Sequence, residues 1–144
     1  MEIYKKSQIL SSLTDEQKLS HQSKHFLLEL YRCDPEKIND ESFLRCILNR
    51  ASKFANATVL NLIINKFEPQ GVTAIALLAE SHISIHTWPE SKYSAVDLFT
   101  CGQKMMPELA SQYLIECLMA KEHSLRVIMR NPPAAVPKQI RTAV

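Results

Sequence analysis

The chain lacks an excess of charge of either sign: 17 lysines and arginines stand against 15 aspartates and glutamates, interspersed, for a formal charge of +2. Such a balance makes no basic stripe, which excludes nucleic acid as the main partner. No apolar run approaches the roughly 18 residues that a membrane span requires, so no span is expected. Lys5 and Lys6 are not followed by an apolar segment. The beginning of the chain therefore does not read as a secretion signal, and the expected location is the cytoplasm. There is no C-x-x-C among the four cysteines, which leaves structural zinc and thioredoxin-like chemistry without support. Without a secretion signal the four are read as thiols, not bridges. Nor does G-x-S-x-G surround Ser81 or Ser84, which disfavours a serine hydrolase.

What is present is enough apolar residue, 46% of 144, for one domain with a core. A polar extension is expected over residues 1–22, a domain over 23–131 and a proline-rich tail over 132–144, where Pro132, Pro133 and Pro137 oppose regular structure. Lys24 to Tyr31 alternates Phe26, Leu28 and Leu30 against Leu27, Glu29 and Tyr31, which is strand spacing. From Asp40 the period becomes helical through Phe43, Leu44, Ile47, Leu48, Ala51, Phe54 and Ala55, with Asn39 or Asp40 as cap. Thr58–Phe67 and Val72–Leu78 read as strands around the turn Pro69-Gln70-Gly71, the second of them central. Pro107 opens a second helix with a stripe of Leu109, Ala110, Tyr113, Leu114, Cys117 and Leu118, and His123–Met129 is a last strand. Cys46 and Cys117 fall on the helical stripes as small buried hydrophobes, while Cys33 marks a strand end. This order predicts an α+β two-layer sandwich, a largely antiparallel sheet with two helices on one face. The other face must carry polar residues, a ligand or a second copy of the chain.

Chemistry concentrates in Leu77 to Gly102. Ser81 to Trp88 alternates Ile83, Ile85 and Thr87 with polar residues, Pro89-Glu90-Ser91-Lys92 interrupts, and Tyr93 to Thr100 alternates again. The two runs form an antiparallel hairpin. Folding about Glu90 and Ser91 sets residue i opposite residue 181 − i, to within about two positions, so Ser81 is expected beside Thr100 and Cys101. His82 and His86 would suit a metal on a helix, but on a strand they lie roughly 13 Å apart. No metal is expected, and His82 is read as structural.

The run Ala79-Glu80-Ser81-His82-Ile83-Ser84-Ile85-His86-Thr87-Trp88-Pro89-Glu90, followed by Asp97-Leu98-Phe99-Thr100-Cys101-Gly102 and preceded by Phe67-Glu68-Pro69-Gln70-Gly71-Val72, resembles the short prokaryotic type of S-adenosylmethionine decarboxylase. The likeness runs from His25 to Arg130. It implies a pyruvoyl enzyme that cuts itself between Glu80 and Ser81. Ser81 Oγ would attack the Glu80 carbonyl, β-elimination would follow, and hydrolysis would release ammonia and leave pyruvoyl where Ser81 was. The resemblance assigns His86 as proton acceptor in processing, Thr73 as its supporting hydroxyl and Cys101 as proton donor to the substrate. It sets Phe67 against adenine and Glu90 on the ribose hydroxyls; the bland alternatives are a core aromatic and a solvated loop acid. Trp88 either packs near this site or anchors the loop.

The family is dimeric, with sites at the subunit interface. Five strand residues span roughly 16–17 Å, and their odd separation sets Ser81 and His86 on opposite faces. Either the chain bends sharply after Ser81, or the His86 that serves it belongs to the partner; the interface site that the resemblance implies favours the second, with Ser81 and Cys101 from one protomer and His86 from the other. The chain departs from the family with Thr73-Ala74 in place of Ser-Gly, Asn65 in place of a histidine, and Ser91-Lys92-Tyr93-Ser94 in place of Tyr-Gly-Tyr-Ala. The implied activity is decarboxylation of S-adenosylmethionine, giving the aminopropyl donor for spermidine. Two readings stay open beside it: the same chemistry on arginine or ornithine, and an unprocessed regulatory relative.

Overall fold

A computed structural model describes residues 22–130. The extension expected before Gln22 and the tail expected over 132–144 lie outside the described residues. The chain runs β1 (Ser23–Tyr31), a 3-10 turn (Lys37–Asn39), α1 (Glu41–Phe54), β2 (Val59–Lys66), β3 (Val72–Leu78), β4 (His82–Trp88), a 3-10 turn (Pro89–Ser91), β5 (Tyr93–Cys101), α2 (Pro107–Cys117) and β6 (Glu122–Arg130). The strands form one sheet in the order β2-β3-β4-β5-β1-β6, antiparallel throughout. With two helices packed on one side, this is the expected α+β sandwich. Among the described residues no helix is long and apolar enough to cross a membrane.

Local chemistry sets the helix ends. The Asp40 carboxylate accepts from the Phe43 N–H at 3.0 Å, a cap that contributes about 1 kcal/mol. Pro107 opens α2, where its missing N–H costs nothing. Leu44, Ile47, Leu48 and Ala51 of α1 and Ala110 and Leu114 of α2 are buried against Phe26, Leu28, Leu30, Ile83, Ile85, Val96 and Leu98 of the sheet. Each fully buried large side chain stabilises the fold by about 1.5–3 kcal/mol.

Three expectations are corrected here. Cys46 is exposed, because the buried stripe of α1 follows Leu44, Ile47 and Leu48 and the intervening residue is turned off it. Leu109 is also exposed, since α2 buries the side defined by Pro107, Ala110, Ser111 and Leu114. Strand β3 is interior but not central. It lies next to the edge strand β2, and its apolar Ile75 and Leu77 are exposed on the face without helices.

Two departures from the family pattern carry a cost. Lys92 follows the turn at φ 51°, held by its N–H to Pro89 O and by its carbonyl, which accepts from the Cys33 N–H. That left-handed backbone costs a side-chain-bearing residue about 1 kcal/mol relative to glycine. Ser94 is fully buried, and among the described residues its hydroxyl meets no oxygen or nitrogen partner, only the Cys33 thiol. The Cys33 thiol beside it is itself pushed up by burial, and sulfur is a weak acceptor. Lys92→Gly and Ser94→Ala are each expected to stabilise the chain by about 1 kcal/mol. Urea unfolding monitored by circular dichroism checks this, and a lowered midpoint in either variant contradicts it.

Candidate active site

The β4–β5 register pairs His82 with Phe99 and Trp88 with Tyr93, as the 181 − i rule requires. Continued by one position, it sets Ser81 opposite Thr100 and one residue from Cys101. Ser81 closes a tight turn in which the Leu78 N–H donates to Ser81 O at 2.8 Å, with only Ala79, Glu80 and Ser81 between β3 and β4. This turn is tied to the start of β2: the Glu80 carboxylate accepts from the Thr58 N–H at 3.0 Å and the Ala79 N–H donates to Thr58 O at 2.9 Å. The Thr58 hydrogen bond holds the Glu80 carboxyl below the ordinary glutamate range.

Alternation distributes the side chains between two faces. His82, Ser84, His86 and Trp88 share the bare face with Tyr93, Ala95, Asp97, Phe99 and Cys101, while Ile83, Ile85, Val96, Leu98 and Thr100 face the helices. Continued through Ser81, the alternation groups it with Thr100, not with Cys101. The expected adjacency to Cys101 thus holds along the chain, while the two side chains belong to opposite faces. Cys101 is exposed, and its Sγ is 3.3 Å from Ser23 Oγ on the paired strand.

The other expected residues lie at the opposite end of the bare face. Thr73 Oγ1 and His86 Nδ1 are 2.9 Å apart across the β3–β4 pair. From His86 a row of rings runs sideways: Trp88 at 6.4 Å, then Tyr93 at 5.2 Å from Trp88, then Tyr31 at 5.6 Å from Tyr93. The Tyr93 hydroxyl donates to the Glu29 carboxylate, and burial together with that carboxylate pushes its pKa up. Phe67, half exposed, donates its N–H to Gly71 O. Extended by one pair on the β2 side and two on the β4 side, the registers align Phe67, Gly71 and Trp88. Gly71 has φ 101°, and a Cβ there would stand 3.1 Å from Thr87 O, so only glycine suits this gap between two exposed aromatics. Glu90 sits in the turn after Trp88 and is exposed.

The structure thus gathers Thr73, His86, Phe67, Trp88 and Glu90 at one end and Ser81 with Cys101 at the other, separated within one chain by five strand residues or roughly 16–17 Å. Four participants had not been singled out in the sequence: Ser23, Glu29, Tyr93 and the His25–Asp97 pair, whose Nε2 and Oδ1 are 3.0 Å apart. The polar odd positions of β1 were a usable signal for the side they face, but not for the partner strand that completes each pair. His82 stacks on Phe99 at 5.8 Å, a structural contact. Among the described residues no three His, Cys, Asp or Glu side chains group as metal ligands.

The bare sheet face thus carries a thiol beside Ser23 at one end and a histidine held by Thr73 at the other, groups able to donate and accept protons. Residues 24–131 match the model of the S-adenosylmethionine decarboxylase family. A protein named S-adenosylmethionine decarboxylase proenzyme from Synechococcus sp. (strain WH7803) is 60% identical over 83% of this chain and 93% of its own. One of the same name from Thermodesulfovibrio yellowstonii is 45% identical over 74% of this chain and 79% of its own. The crystal structure of the adenosylmethionine decarboxylase from Aquifex aeolicus VF5 superposes with a TM-score of 0.71 at 36% identity, covering 85% of this chain and 99% of that one. The chain belongs to the S-adenosylmethionine decarboxylase family of enzymes.

The Glu80 tie has a pH signature. A carboxyl whose pKa is depressed in the fold keeps its hydrogen bond at neutral pH and loses it as pH falls through the lowered value. The Thr58 amide proton should shift in NMR between neutral pH and about pH 3, below the ordinary glutamate range, and Glu80→Ala should abolish the shift. A Thr58 signal that titrates identically in the variant rules the tie out.

Proposed function

We propose that this chain decarboxylates S-adenosyl-L-methionine in the cytoplasm, forming the aminopropyl donor for spermidine. It does so with a pyruvoyl group made from its own Ser81 after cleavage of the Glu80–Ser81 bond, as a homodimer with shared sites. One observation carries the reading: Ser81, in the turn just before β4 and beside Cys101 in register, stands at one end of the sheet, and His86 with its hydroxyl partner and row of rings stands at the other. Two copies facing each other about a two-fold axis lying between the bare faces and running across the strands bring the first end of each onto the second end of the other. Both composite sites are then complete, and the exposed Ile63, Ile75 and Leu77 are covered.

Residue 81 fits a terminal carbonyl group. It stands at the start of an interior strand, while the strand before it is held separately by β2 and by β4. Breaking the 80–81 bond therefore leaves each new end within two residues of a paired strand. A keto group there supplies the electron sink that ordinary side chains lack. In processing, Ser81 Oγ bonds to the Glu80 carbonyl carbon as the peptide C–N bond breaks, and a base then takes the proton from Ser81 Cα. His86 of the partner subunit is that base. With Nδ1–H donating to Thr73 Oγ1, its lone pair lies on Nε2, the tautomer this task needs. Thr73 keeps the hydroxyl of the family serine. In turnover Cys101 delivers the proton to the substrate Cα. Phe67 and Trp88 flank the gap over Gly71, which suits a planar adenine, and Glu90 accepts from the ribose hydroxyls.

Mass spectrometry of the denatured, incubated protein is expected to show fragments 1–80 and 81–144, the second fixing amine substrates on borohydride reduction. Carbon dioxide release should be fast with S-adenosylmethionine and background with arginine and ornithine; the reverse reassigns the substrate. A chain that stays intact makes it the unprocessed regulatory relative. Mixing His86→Ala chains with Ser81→Ala chains should restore cleavage of the former, since one composite site in each mixed dimer has both groups. No cleavage in the mixture removes the sharing.

A further inference from the structure

The proton that Cys101 gives up leaves a negative sulfur, and nothing assigned so far meets that charge. The row across the sheet at this level is Arg130 on β6, Ser23 on β1 and Cys101 on β5, each in register with the next. All three lie on the bare face, and adjacent strands are about 4.8 Å apart. Ser23 Oγ is 3.3 Å from Sγ. The Arg130 guanidinium sits over the Phe99 ring, 5.6 Å from its centroid, and Phe99 precedes Cys101 by two residues on the same strand and face. The other titratable groups here are His82 and His25, both packed on Phe99, and Asp97, which is engaged with His25. Lys24 alternates to the helix side. Among the described residues, Arg130 is therefore the cation in register with the thiol on this face, while the Asp97 carboxylate is taken up by His25.

We infer that Ser23 and Arg130 are positioning residues for Cys101 that stabilise its thiolate, the hydroxyl by donating a hydrogen bond to sulfur and the guanidinium by its charge. The inference rests on the proposed role of Cys101 as proton donor. When the S–H bond breaks, the proton passes to the substrate Cα and the electron pair stays on sulfur. There the Ser23 O–H turns toward it and Arg130 offsets its charge until solvent returns a proton. Thiolates are favoured in such electropositive, accessible surroundings, and hydrogen bonds to a charged partner are the stronger kind. In register, Ser23 is the β1 residue whose hydroxyl can do this, because Lys24, one pair away, lies on the other face and His25, two pairs away, packs on Phe99.

The test separates the thiol from the prosthetic chemistry. In Ser81→Ala chains, which cannot process, iodoacetamide labelling of Cys101 is followed by peptide mass spectrometry, with exposed Cys46 as internal control. Ser23→Ala and Arg130→Gln are each expected to slow Cys101 labelling about threefold at neutral pH, since the gain in nucleophilicity only partly offsets the smaller thiolate fraction. Ser23→Thr should restore it, and Cys46 should not change. Labelling that stays constant, or rises because the smaller side chain opens access, overturns the inference. In processed enzyme the same two variants should lower kcat with KM little changed, and an unchanged kcat overturns their part in turnover. A parent chain that never processes sinks the proposed function instead, and leaves the labelling result standing.

Discussion

Everything at the site depends on the pairing of β4 with a neighbour on each side. Backbone hydrogen bonds to β3 and β5 fix where residue 81 stands, which face His86 presents, and how far apart the two are. An interior antiparallel strand has no freedom to slip, because a shift of one residue would expose Ile83 and Ile85 and bury two histidines. The same rigidity explains how a chain could be cut at 80–81 without losing its fold. The ladders on both sides, and the Thr58 contacts to Ala79 and Glu80, hold the flanks without help from the peptide bond between them.

The second constraint is the shortage of helices. Two helices cover one side of six strands, and the side left bare carries Phe67, Trp88, Tyr31, Ile63, Ile75 and Leu77 at 41–63% exposure. So much apolar surface on a small domain marks an interface. Its polar residues are not spread evenly: hydroxyl and thiol groups lie at the end where β5 finishes, histidine and rings where β5 begins. A face with unlike ends is what two copies need if each is to complete the other, because a two-fold axis lying between the faces and running across the strands exchanges the ends.

Much of this was legible from residues alone. The alternation around Ser81 and Tyr93 gave the hairpin and its register; the period through Leu44, Ile47 and Leu48 gave the first helix; the count of helices gave the bare face. What stayed hidden were contacts between segments distant in the chain. Ser23 meets Cys101 and Glu29 meets Tyr93 only because β1 inserts between β5 and β6, and no local pattern encodes that insertion. The exposure of Cys46 was legible in the spacing but misread: at about 100° per residue it lies on the far side of α1 from Leu44, Ile47 and Leu48. The opposite-face placement of Ser81 and Cys101 follows from strict alternation, yet adjacency in register had hidden it.

The departures from the family pattern show how such a site tolerates drift. Thr73 keeps a hydroxyl on His86 while its extra methyl suits a strand, where β-branched residues pack well. Its neighbour in register is Asn65, near where the family pattern that the sequence resembles has a histidine. The partner of His86 is therefore retained while the residue one strand further out has changed. Lys92 and Ser94 lie outside this contact chain: one strains a turn and the other buries a hydroxyl, yet neither touches His86 or Trp88 directly. Their costs fall on stability, a quantity the whole core supplies. A change at Thr73 or Gly71 would fall on the position of one imidazole or on one ring-sized gap, and the core has no means of compensating for either.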